Sequence, residues 1–230
     1  MQILRKEEVL RRPYSEIEET MEEYKHIKAY PYIGRLYFEQ PANKRILILG
    51  HSHYTDDWHP TITRESVSNY LANRQNGKDI DGEYRSFLNF ETSVLGEDVS
   101  PEEAIAFWDK VAFCNYVQEP MPITDKTKRP TNKQYKASYE AFFETLEVLR
   151  PTYVVAWGVT NFNHLPPVNF VDIDPDGIRI CQYNLASDYR VRVLCIQHPS
   201  MRYCRKKWGP IVNSFLQGKW DKCPPKNIAS

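Results

Sequence analysis

Apolar positions along this chain fall into two patterns. The first is a set of short unbroken runs that end in a glycine or a polar cluster: Ile46-Leu47-Ile48-Leu49 before Gly50, Val111-Ala112-Phe113-Cys114 before Asn115, and Tyr153-Val154-Val155-Ala156-Trp157 before Gly158. Such runs predict strands buried on both faces. Two further β runs, 177–183 and 189–196, are joined by residues 184–188, and the second gives way to Gln197-His198-Pro199-Ser200.

The second pattern has helical spacing. Tyr135, Tyr139, Phe142, Phe143, Leu146 and Leu149 mark one face of a long helix that stops before Pro151. Ile17, Met21, Tyr24 and Ile27 predict an amphipathic helix over residues 15–27, with an irregular lead-in over 32–39. Shorter helices are expected over 64–73 and 83–94, on either side of Asn76-Gly77-Lys78-Asp79. Ser100-Pro101-Glu102-Glu103 starts another that runs to about Lys110, with serine as N-cap, proline at the first position and two acids facing the dipole. A last short helix covers 210–217, with Gly218 as its C-cap.

Strands that alternate with helices argue for an α/β fold with a mainly parallel sheet covered on both faces. In such sheets ligands bind outside the carboxyl ends of the strands. The polar residues just past the runs, His51-Ser52-His53-Tyr54, Asn115, the Trp157-Gly158 turn and His198, therefore converge on one crevice. The polar segment 55–101 is long enough to act as a substrate loop or lid at that rim.

Length and composition narrow the choice. The 230 residues suit one large domain, and thirty basic residues balance thirty acidic ones, so any nucleic-acid surface must be a local patch. The charged start and the lack of any run of eighteen apolar residues predict a soluble, cytoplasmic protein. Five widely spaced cysteines without a CxxC pair predict neither a disulfide framework nor a structural zinc site.

Taken in order, the rim residues resemble the uracil-DNA glycosylase superfamily. There a first strand ends in Gly-Gln-Asp-Pro-Tyr, a second in an apolar run and Asn, a third in Trp-Gly and the last in His-Pro-Ser. The counterparts here are Gly50-His51-Ser52-His53-Tyr54, Phe113-Cys114-Asn115, Ala156-Trp157-Gly158 and His198-Pro199-Ser200, across roughly residues 44–202. The resemblance implies a three-layer α/β/α sandwich with a central, mainly parallel four-stranded sheet over residues 44–218. Residues 1–43 would be a helical extension and 219–230 a tail. It also implies a monomer without metal or organic cofactor, which flips a uracil or related damaged base from DNA and hydrolyses its N-glycosidic bond.

Residue roles follow from the same resemblance. Asn115 would read the Watson–Crick edge of the base, and Tyr54 would exclude a C5 methyl group. His198 would hydrogen-bond the oxygen that gains charge as the base leaves. Gly50 and His51 belong to the base-binding loop, and the stacking aromatic is Phe87 or Trp58. Ser200 would hold phosphate, Met201 or Tyr203 would stand where the family inserts an apolar wedge, and Arg202, Arg205, Lys206, Lys128 and Arg129 would supply cations to DNA.

The chain departs from the family where Ser52 replaces the acid that orients water, and His53 replaces the following proline. His51 or His53 could take over the water, since an imidazole titrates near neutrality. Three alternatives remain open. His51, His53, Asp56, Asp57 and His59 could bind a metal, as in metal-dependent hydrolases, although their spacing departs from that pattern. Gly50-His51-Ser52-His53 resembles the start of a serine-hydrolase elbow, but Tyr54 stands where the elbow needs glycine. The fold could also serve nucleic-acid binding without glycosylase chemistry.

Overall fold

The apolar runs form the middle of a seven-stranded sheet whose order is β1-β3-β2-β4-β7-β6-β5. In chain order these strands are β1 (Tyr32–Ile33), β2 (Ile46–Gly50), β3 (Ala112–Asn115), β4 (Tyr153–Trp157), β5 (Val171–Ile173), β6 (Arg179–Asn184) and β7 (Arg190–Ile196). This computed structural model describes residues 24–125, 127–168, 171–173, 177–185, 189–200 and 202–220. The helix expected over 15–27 lies largely outside them, and the part that is described, from Tyr24 on, is not helical.

Strands β3, β2, β4 and β7 run parallel, and β1, β6 and β5 pair antiparallel at the two sides. The sheet is therefore wider than the four-stranded one expected, because β1, β6 and β5 extend its parallel centre. Two-residue β1 is too short to carry a period of its own, and it comes from the segment expected to be an extension outside the domain.

Helices cover both faces. Between β2 and β3 lie α1 (Ile62–Gln75), α2 (Arg85–Leu95) and α3 (Pro101–Trp108). Between β3 and β4 lie α4 (Asn132–Ala137) and α5 (Tyr139–Leu149); α6 (Val159–Asn163) follows β4, and α7 (Arg205–Leu216) follows β7. Alternation along the strands divides the core. Leu47, Leu49, Ala112, Cys114, Val154, Ala156, Val193 and Cys195 face Phe142, Leu146 and Leu149 of α5. Ile48, Phe113, Val155, Trp157, Leu194 and Ile196 face Val67 and Tyr70 of α1, Phe87 and Phe90 of α2, Trp108 of α3 and Phe215 of α7. Each valine, leucine, isoleucine or phenylalanine among them contributes roughly 1.5–3 kcal/mol on leaving water, before chain entropy is subtracted.

Several boundaries differ from expectation. The single helix expected from Tyr135 to Leu149 is two, broken at Ser138, whose hydroxyl donates to the Gln134 carbonyl and accepts from the Gln118 amide. The last helix starts at Arg205, so Pro210 sits inside it. The start at Ser100 is a full capping box, with Glu103 reaching back to the Ser100 amide, and that helix ends at Trp108.

Candidate functional site

Strand order fixes where a ligand can enter. The chain leaves β2 toward β3 on one side, and leaves β4 toward β7 on the other, so the connections diverge between β2 and β4. That point is where open parallel sheets hold their ligands. A cavity of about 710 Å³ opens there, lined among others by Gly50 to Tyr54 after β2, Asn115 at the end of β3, Trp157 to Asn161 after β4, and His198 and Ser200 after β7. The four strand ends read from the sequence thus share one cavity.

Its base is a close contact. The Gly50 carbonyl accepts from the Tyr116 amide (3.1 Å) and from Asn161 Nδ2 (2.9 Å), which holds the ends of β2, β3 and α6 together. A Cβ on Gly50 would lie 2.1 Å from Asn115 Oδ1 and 2.8 Å from Phe113 Cζ. Glycine is needed here so that the Asn115 side chain can lie across the strand end. Asn115 is 8% exposed, it lines the cavity, and its carboxamide has no hydrogen-bond partner among the described residues. Neither of its amide atoms is among the fully buried ones, so donor and acceptor are both open to a ligand in the cavity.

Opposite elements bring three imidazoles to the cavity, and each is held neutral. Burial pushes His198 down to about 4, with Arg129 adding repulsion, and the ring meets Trp157 edge-on at 6.0 Å. Its ring nitrogens have no hydrogen-bond partner among the described residues. Burial likewise lowers His51 to about 4, helped by His198, Arg129 and His164; its Nε2 lies 2.6 Å from the Tyr135 hydroxyl. His53 also falls to about 4 through burial and then His59, with Nε2 2.9 Å from Thr63 Oγ1 on α1. His53 is thereby turned toward a helix, which leaves His51 and His198 as the freer pair.

Tyr54 donates to the Lys128 carbonyl (2.7 Å) and accepts from Arg129 Nη1 (3.0 Å), so the basic loop after β3 is fastened to the loop after β2. The two loops run side by side, with Tyr54 and Met121 in a parallel bridge. Phe87 lines the cavity with Phe113 and Trp157, and is itself packed edge-on against both rings. Trp58 does not line it; its ring packs against His53 at 6.0 Å, which corrects its candidacy as the stacking aromatic.

Of the DNA-contacting candidates, Ser200 and Arg129 line the cavity. Lys128, Arg202 and Lys206 are exposed, Arg205 is half-buried, and Met201 lies outside the described residues. Asn161, Thr160, Ser66 and Ser86 also line the cavity and were missed by sequence reasoning. Asn161 carried one signal, its place three residues after Gly158; the others come from helices or turns whose position needs the fold.

The alternative chemistries fare differently. Ser52 Oγ is buried without a hydrogen-bond partner, so no histidine is in place to activate it as a nucleophile. Among the described residues, no three His, Cys, Asp or Glu side chains gather closely enough to hold a metal ion. The described lining residues include no carboxylate, and its one formal cation is Arg129. Among the described residues, no helix is long and apolar enough to cross a membrane.

Set beside known proteins, the chain matches no protein-family model and no curated protein. What the fold and cavity define is an α/β protein with a crevice, its described lining without a carboxylate, at the point where the sheet connections diverge.

Proposed function

We propose that this crevice takes a uracil-like base swung out of a DNA strand, and that the chain hydrolyses its N-glycosidic bond as a divergent relative of the uracil-DNA glycosylases. The observation that carries the reading is the pairing of Asn115 with His198. They come from the ends of β3 and β7 and line one cavity, and neither the Asn115 carboxamide nor the His198 ring nitrogens have a hydrogen-bond partner among the described residues. A carboxamide offers one donor and one acceptor, which matches the imide edge of uracil. Phe113, Phe87 and Trp157 supply the apolar wall a planar base requires.

The chemistry follows from charge. As the C1′–N1 bond breaks, its electron pair moves into the base and onto a ring-side carbonyl oxygen. A neutral His198, kept so by its burial, donates an N–H to that oxygen. Water then forms the new C1′–O bond, and its proton passes to the departing base by way of the cavity's polar groups. His51, neutral and hydrogen-bonded to Tyr135, is the group suited to orient that water. With no carboxylate among the described lining residues, the sugar cation gains little direct stabilisation. Acceleration must come from the leaving-group side, which favours bases whose N1 anion is already stable.

The test is a single-turnover assay on end-labelled single-stranded DNA carrying one uracil or one 5-halogenated uracil, with alkali to cut abasic sites. Cleavage is expected at both, faster at the halogenated base, and lowered by at least about a hundredfold in His198→Ala and Asn115→Ala. Folded protein that leaves both strands intact sinks the reading, as does full activity in the two variants.

A further inference from the structure

Tyr135 stands just behind the crevice, with its hydroxyl 2.6 Å from His51 Nε2. It does not line the cavity and is 2% exposed, so it reaches His51 from within the core. The other ring nitrogen of His51, Nδ1, has no hydrogen-bond partner among the described residues and is not fully buried. Since His51 lines the cavity, Nδ1 is the nitrogen open to a ligand. Which nitrogen carries the proton decides what that ligand meets, and the hydrogen bond at Nε2 decides which nitrogen carries it.

The surroundings hold Tyr135 still. It lies on α4, whose start is fixed by a capping box between Thr131 and Gln134. Its ring stacks on His164, with centroids 4.0 Å apart and 15° between the planes, and the His51 ring lies 5.7 Å away at 30°. His164 is clamped in turn, its Nδ1 2.8 Å from the Thr160 carbonyl and its Nε2 3.2 Å from Asn132 Oδ1. The Tyr116 hydroxyl is shared between the carbonyls of Tyr135 (3.3 Å) and His164 (3.0 Å). Side chain and backbone of Tyr135 are both tied, so its hydroxyl is aimed at His51. Two arrangements of the protons are then open. Burial raises the phenol above its ordinary 10.0 and keeps it protonated, while the imidazole is neutral. If Nε2–H donates to the hydroxyl, the phenolic hydrogen has no acceptor among the described residues, in a side chain shut off from solvent. Such an orphan is costly. If the hydroxyl donates to Nε2, every hydrogen has a place, because Nδ1–H faces the open cavity. Acidity favours the second arrangement too, since a phenol is the stronger acid and an imidazole nitrogen the better acceptor.

We infer that Tyr135 is a positioning residue for His51: its hydroxyl donates to Nε2, fixes the ring proton on Nδ1, and presents His51 to the crevice as a hydrogen-bond donor and not as a base. Its consequence for the chemistry rests on the reading of the crevice as a glycosylase site. In that reaction Nδ1–H donates to one lone pair of the attacking water, and the other lone pair forms the bond to C1′. His51 takes up no proton. The water's proton goes to the departing base, which has received the electron pair of the broken C1′–N1 bond.

The experiment reads the tautomer directly, by long-range proton–nitrogen correlation spectra of the histidine rings at neutral pH, with the His51 signals identified by their absence in His51→Gln. Wild-type His51 should show a protonated Nδ1 and a bare Nε2. Tyr135→Phe keeps the ring and its packing but frees Nε2, so the Nε2–H form is expected to appear. Tyr183→Phe removes another buried hydroxyl, one that donates to the Pro166 carbonyl away from the cavity, and should change nothing at His51. A wild-type His51 protonated on Nε2 overturns the assignment, as does a Tyr135→Phe protein whose His51 stays wholly in the Nδ1–H form. Single-turnover cleavage of a uracil-containing strand should fall about tenfold in Tyr135→Phe, the worth of one hydrogen bond, with affinity for the strand unchanged. An undiminished rate beside a shifted tautomer overturns the part given to Tyr135 in the reaction. A wild-type protein that cleaves nothing removes the glycosylase reading instead, and the spectra still decide whether Tyr135 sets His51.

Discussion

At the scale of single residues, the cavity depends on an absence of side chain as much as on any side chain present. Gly50 has ordinary backbone geometry, so its identity is set by space. Its missing Cβ is what lets the Asn115 carboxamide cross the end of β2. Gly50→Ala should therefore cost about 1–3 kcal/mol of stability as an overpacked site, and it should turn the carboxamide out of the position needed to read a base. The two effects separate in a double variant. Removing the colliding carboxamide in Gly50→Ala/Asn115→Ala should restore part of the stability, the Phe113 ring remaining 2.8 Å from the new Cβ, and none of the activity, measured by urea midpoints and by uracil cleavage. Independent, additive losses of stability would show that the close approach does not govern the site.

At the scale of elements, the helices over the β2-side face are tied by a buried charge. Glu91 of α2 is fully buried; it accepts from Tyr70 of α1 (2.7 Å) and Trp108 of α3 (2.9 Å), and pairs with Arg74 of α1 (3.1 Å). Burial raises its pKa, and the hydroxyl, the indole and Arg74 act against that rise. Arg74→Met should leave the carboxylate uncompensated and cost about 3–5 kcal/mol; a change within about 0.5 kcal/mol in chemical denaturation would mean that the pair holds little. Nothing in the sequence pattern pointed to this clamp, because a glutamate in an amphipathic helix reads as surface. The same limit explains the break at Ser138, where apolar spacing runs on unchanged across two helices. The short strands β1 and β5 have too few residues to show a period. What the pattern did carry was the parallel centre: β2, β3, β4 and β7 announce themselves as apolar runs, and their polar ends mark the crevice. Ser66, Ser86 and Thr160 were illegible for one reason, since each reaches the cavity from a helix whose placement only the packing decides.

At the scale of the whole molecule, neutrality conceals an uneven field. Thirty cations balance thirty anions along the chain, yet the described lining of the cavity holds Arg129 and no carboxylate. Protonated histidines would add to that positive field, and burial prevents it by holding His51, His53 and His198 near 4 against an ordinary value of 6.5. The same shifts link the site to folding. An unfolded chain takes up these three protons as pH falls through about 6.5, whereas the folded chain resists until about 4. Between those values the unfolded state binds more protons, so stability falls as pH falls; it is unaffected by them above that window, and below it the decline is complete. Urea midpoints should therefore already drop between about pH 7 and about pH 5, where ordinary carboxylates remain largely ionised. His53→Leu, which removes the imidazole facing Thr63 outside the proposed chemistry, should flatten that drop by about a third if the three sites contribute alike. A midpoint that holds steady down to about pH 5 would mean the imidazoles are charged at little cost. The crevice would then present cations to its ligand, and leaving-group stabilisation by a neutral His198 would have to be replaced by proton donation from a charged one.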